Sequence, residues 1–141
     1  MQMQDLINQL VSERNLYYHH NIVPGHTKVK VNWKKTLLLA AFHHVSFNET
    51  RSYLFYFSRE YFGVFETNGK KLQGDAALIP WEYITDFKVK KGRVEDALTF
   101  VYQGEKFEMQ LSRVMRGQPW VSENIENLEE NNFYCGNRDF G

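Results

Sequence analysis

The sequence predicts an α+β protein that is mainly β, with about seven antiparallel strands lying between an amphipathic helix at each end. Three observations carry this prediction. Short apolar runs are punctuated by turn dipeptides, as in "TNGK" and "YQGE", and runs of that length between glycine turns read as hairpin strands. Apolar and polar residues alternate through "KFEMQL", the period of a strand with one buried face. A helical period is confined to the first fourteen residues and to the stretch after Pro119.

From Asp5 to Arg14 the apolar residues are Leu6, Ile7, Leu10 and Val11, a spacing that puts one stripe on a helix. In "NLYYHHNIVPGHTKVKVNW" the pair Pro24-Gly25 breaks any helix. The segment reads as a linker entering an exposed strand over 28–31. "LLLAAF" at 37–42 reads as a buried strand, since it is far too short to cross a bilayer.

The runs 51–57 and 61–67 form a hairpin if Arg59-Glu60 is its two-residue turn. That register pairs Phe57 with Phe62, Tyr56 with Gly63, Phe55 with Val64 and Leu54 with Phe65. Both faces are then apolar, so one meets the core and the other needs cover, from the N-terminal helix or from another subunit. Asn68-Gly69 is a strong hairpin-turn pair. Gln103-Gly104 closes a further hairpin that sets Phe100 against Phe107 and Leu98 against Met109 on the inside, with Thr99 against Glu108 and Val101 against Lys106 outside. Pro119 suits a first helical turn, and Val121, Ile125 and Leu128 make the stripe of the last helix beside Trp120. The tail "NNFYCGNRDFG" has no period.

The chain has 141 residues, 43% hydrophobic, 24% charged and 16% aromatic, with a formal net charge of zero. That length suits one domain, and the zero charge argues against broad attraction to nucleic acid or anionic membrane. The single cysteine, Cys135, forms no intramolecular disulfide, so a reducing, cytoplasmic setting is expected. The opening "MQMQDLINQL" lacks the basic start of a signal peptide.

The order of these elements, together with the corner Leu78-Ile79-Pro80-Trp81-Glu82-Tyr83-Ile84-Thr85-Asp86-Phe87, resembles the pleckstrin-homology-like superfold, and in particular the small bacterial pleckstrin-homology-type domains. The matching stretches are "LLLAAF", "RSYLFYFSREYFGVFE", "ALIPWEYITDFKV", "ALTFVYQGEKFEMQL" and the helix from Pro119. The resemblance implies two orthogonal sheets forming a half-open barrel plugged by the C-terminal helix. It also implies inward-facing Ile84 and Phe87 with Trp81 as a corner plug. On this reading 1–35 is an N-terminal helix and linker extension, 36–132 the pleckstrin-homology-like domain, and 133–141 a loose tail. The family's phosphoinositide signature is a lysine and a basic-x-arginine pair around the first hairpin loop, but "FHHVSFNETRSY" offers only Arg51. The lipid site is therefore not carried over.

Catalytic signatures are missing: there is no Gly-x-Ser-x-Gly elbow, phosphate loop or dinucleotide fingerprint. The acids Asp75, Glu82 and Asp86 are scattered. His19-His20 and His43-His44 are adjacent pairs, His26 stands apart, and no metal-ligand spacing joins them. No catalytic residue, cofactor or metal is assigned.

The expected function is a non-catalytic interaction module that binds protein and associates with itself, as its family members tend to do. Leu54, Tyr56 and Phe65 are the candidate interaction surface, for want of an internal partner. The alternative is a membrane-surface adaptor that meets anionic lipid through Lys88, Lys90, Lys91 and Arg93. At about 1 kcal/mol per charge, that cluster alone gives only about millimolar binding. The cluster Lys28, Lys30, Lys34 and Lys35 around Trp33 falls under the same arithmetic. A small ligand-binding or hydrolytic barrel is a third reading, and it requires a concave pocket with convergent polar groups.

Overall fold

A two-residue turn fixes the register of each of the two hairpins, and the computed structural model, which describes residues 3–26, 52–67 and 72–134, has both as expected. The elements are α1 (Met3–Arg14), β1 (Ile22–His26), β2 (Ser52–Phe57), β3 (Tyr61–Thr67), β4 (Leu72–Pro80), a 3-10 turn (Trp81–Tyr83), β5 (Ile84–Lys90), β6 (Glu95–Tyr102), β7 (Glu105–Ser112), α2 (Trp120–Glu130) and a last 3-10 turn (Asn132–Tyr134). Phe57 faces Phe62, Phe55 faces Val64 and Leu54 faces Phe65. Phe100 faces Phe107 and Leu98 faces Met109. Gln103 and Gly104 both have positive φ, at 53° and 79°, as the tightest hairpin turn demands.

The seven strands form one open antiparallel sheet in the order β4-β3-β2-β1-β7-β6-β5. Instead of two separate sheets there is one, and its halves meet at β1. That strand pairs with β2 along its whole length but with β7 only through Gly25 and His26. The two halves share one main core, because Phe62 of β3 and Phe100 of β6 lie edge to face with centroids 5.4 Å apart.

Ile22–His26, expected as linker, is thus the middle strand of the sheet. Pro24 has no N–H to donate, and it lies outside the stretch paired with β7. Gly25 is required by space: a Cβ there would sit 2.1 Å from the Gln110 carbonyl oxygen and 2.6 Å from the Phe55 ring. Gly25 thus lies where the two halves of the sheet pair and approach closely. The described part of the expected N-terminal extension therefore belongs to the fold itself. The expected strands at 28–31 and 37–42, the Asn68-Gly69 turn, the cluster around Trp33, His43, His44, Arg51 and Cys135 lie outside the described residues.

The corner after β4 is architectural. Trp81 is buried, stands edge-on to Phe87 at 5.0 Å, and donates its indole N–H to the Ser58 carbonyl at 2.6 Å. Ile84 and Phe87 both face the core, although a regular strand puts residues three apart on opposite faces. An irregularity between Thr85 and Lys88, where Asp86 has φ 51°, supplies the extra half-step.

α2 lays Val121, Asn124, Ile125 and Leu128 inward. Its far end is fastened by Arg113, which donates to Asp96 at 2.9 and 3.0 Å and to Glu129 at 3.1 Å. Burial works against the Arg113 charge, but the hydrogen bonds and charges of Glu129 and Asp96 outweigh it and hold its pKa above the ordinary value. Of the tail expected to be loose from 133, residues 135–141 lie outside the described residues, and its first residues form the last 3-10 turn. Phe133 is buried and meets Phe57 edge to face at 5.4 Å.

Candidate functional site: a tyrosine-rimmed groove

The face that needed cover is covered from within. Leu6, Ile7 and Leu10 of α1 pack with Ile22, Leu54, Tyr56 and Phe65 into a second apolar cluster on the opposite face of β1–β3 from the main core. Leu54, Tyr56 and Phe65 are 0%, 4% and 2% exposed, so with α1 in place they are not open to a partner. Of the two covers the sequence left open, the N-terminal helix is the one present.

Where α1 ends, this arrangement leaves a groove of about 450 Å³. One part of its wall is the connection from α1 to β1, with Arg14, Leu16, Tyr17 and His19. Another is the β2–β3 turn from Ser58 to Tyr61, and Leu78 of β4 and Tyr134 complete it. Tyr17 is 74%, Leu78 39% and Tyr61 37% exposed. Apolar and aromatic area is therefore offered to solvent around a concave floor, the usual make-up of a binding site.

The floor is held rigidly. The Tyr56 hydroxyl accepts from the Tyr17 N–H at 3.3 Å. Asn21, buried, donates to the Tyr17 and Phe57 carbonyls at 3.0 and 2.8 Å and accepts from the His19 N–H at 2.7 Å. Asn124 of α2, fully buried, donates to the Ile22 carbonyl at 2.8 Å and the Tyr18 hydroxyl at 3.1 Å, and its oxygen lies 3.1 Å from His20 Nδ1. Asn127 donates to the His19 and His20 carbonyls at 3.1 and 3.0 Å and lies 3.1 Å from the Tyr134 hydroxyl. These asparagines hold a connection that includes the strained φ of Asn15 and His20, 55° and 54°. Exchanging Asn124 for leucine strands the Ile22 carbonyl and is expected to cost about 1–3 kcal/mol. Urea unfolding of the variant reads this as a lower midpoint at unchanged slope.

The basic cluster lies elsewhere. Lys88 and Lys90 are exposed on β5, Arg93 is exposed in the following turn, and Lys91 is 3.7 Å from Glu129. Lys106 joins Lys88 around a shallow depression of about 290 Å³ that also contains Asp86 and Thr99. No three His, Cys, Asp or Glu among the described residues are grouped to hold a metal. Glu82 and Asp86 are exposed, and the side chain of Asp75 lies outside the described residues. Burial and then neighbouring Tyr83 push the Tyr102 phenol above its ordinary pKa. No helix of the described residues is long and apolar enough to cross a membrane.

Sequence reasoning missed the groove because its walls come from segments far apart in the chain. It also passed over the asparagines, although Asn124 falls three residues after Val121 and four before Leu128, on the buried stripe of α2. No protein-family model matches the chain, and no curated protein and no solved structure matches it.

Proposed function

We propose that this protein is a non-catalytic, pleckstrin-homology-like module that binds a segment of another protein in the tyrosine-rimmed groove. The groove carries the reading: a hydrogen-bonded floor beneath three side chains with exposed apolar surface, Tyr17, Tyr61 and Leu78. The strand order β4-β3-β2-β1-β7-β6-β5 with a helix after β7 supports the fold half of the proposal, a half-open barrel with a capping helix and an additional N-terminal helix. Self-association loses its motive once α1 covers Leu54, Tyr56 and Phe65. A monomer mass by light scattering at high concentration is the expected result.

Panning a random peptide library on the immobilised protein, with the Tyr61→Ala/Leu78→Ala variant as counter-selection, tests the groove. Enriched peptides are expected to lose binding to the variant. Enrichment indifferent to it would move the site elsewhere, and no enrichment would remove the peptide-binding reading.

The adaptor reading keeps one supporting observation, the approach of Lys106 to Lys88 on the open face of β5–β7. It predicts sedimentation with phosphatidylserine-containing vesicles that disappears at high salt and in Lys88→Gln/Lys106→Gln. Equal sedimentation with neutral vesicles would contradict it.

A further inference from the structure

We infer that the segment taken up by the groove is acidic and carries an aromatic anchor, an inference that rests on the groove being a peptide site. Two arginines line it from different elements, Arg14 from the last turn of α1 and Arg59 from the tip of the β2–β3 hairpin. Neither makes an ion pair among the described residues. Arg14 instead lies with its guanidinium 6.0 Å from the centroid of the Phe65 ring, a weak contact at an exposed site. Among the described residues the lining sets one acid, Glu60, against the two arginines, so the charge balance favours carboxylates.

Arginine suits this role because its planar fork presents paired donors to a carboxylate. The same lining offers ring and aliphatic surface from Tyr17, Tyr61 and Leu78. An aromatic side chain flanked by Asp or Glu meets all of these features at once: its ring covers apolar area that solvent now touches, and its acids reach the two cations. A single-stranded nucleic acid fits less well. It brings one negative charge per nucleotide to a wall that already holds Glu60, and basic tracks that follow such a backbone carry more than two cations.

The test uses the full chain labelled with nitrogen-15 and three probes followed by amide shifts. The first is a decapeptide alternating Asp and Glu around a central Phe, the second its Asn/Gln isostere, and the third a ten-nucleotide thymidine strand. The acidic peptide is expected to shift Tyr17, Arg59 and Tyr61 and leave Lys88 and Lys106 in place. It should bind about tenfold more tightly than the isostere, and the Arg14→Gln/Arg59→Gln variant should erase that difference. Equal affinity for the two peptides would overturn the acidic class while leaving the groove as a peptide site. No shift from either peptide would overturn the groove reading and the inference with it. Shifts from the thymidine strand alone would replace the proposed ligand with a nucleic acid.

Discussion

Truncation of Phe62 to alanine is expected to destabilise the protein by about 3–5 kcal/mol. Its ring stands within 6.3 Å, centroid to centroid, of five others: Phe55, Phe57, Trp81, Phe87 and Phe100. Those partners come from β2, the corner after β4, β5 and β6. Phe62 therefore joins the two halves of the sheet, and no single neighbour can close the cavity its loss would leave. Close packing makes that cavity costly. Equilibrium unfolding in urea reads the loss as a fall in midpoint. Phe62→Leu keeps most of the volume, is expected to lose less than half as much, and carries the test if the alanine variant does not fold. A midpoint unchanged in both would mean that the halves are held elsewhere.

The position of Phe62 was legible because hairpin register follows from the turn. Once Arg59-Glu60 is the turn, every pair from Phe57–Phe62 to Leu54–Phe65 is determined. Trp81 as a corner plug was what the resemblance implied, with Pro80 before it suiting a corner by removing a donor. β1 was not legible. Its signal, Pro24-Gly25, is the usual sign of a break, and it reverses meaning only when Gln110 and Phe55 are known to press on Gly25 from either side. Local propensity yielded to a contact 85 residues away in the chain (110 − 25). The groove escaped for the same reason, because loops carry little periodicity and their neighbours are set by the finished sheet.

α1 poses a sharper question, because a helix of twelve residues is marginal in water by itself. It exists because Leu6, Ile7 and Leu10, each at most 1% exposed, bury apolar surface worth about 2 kcal/mol apiece. In return it hides Leu54, Tyr56 and Phe65. Ile7→Asp places a carboxylate in that dry contact without a partner, a cost of several kcal/mol, and the expected outcome is that α1 lifts while the main core stays folded. The uncovered face would then offer a contiguous apolar patch on a sheet, which is the kind of surface that drives association. Light scattering should show a mass rising with concentration, and the amide pattern of β5–β7 should be retained. Ile7→Ala keeps the face covered and is expected to remain monomeric with a loss of about 2–4 kcal/mol. If Ile7→Asp stayed monomeric with α1 protected from hydrogen exchange, the second apolar cluster would not be what keeps the helix in place. If instead it associated, the surface first expected to join copies of this chain would be a real adhesive face that the protein's own first helix keeps closed. Because the same helix ends at Arg14 beside the groove, its release would abolish peptide binding in the same variant, tying the cover and the site to one element.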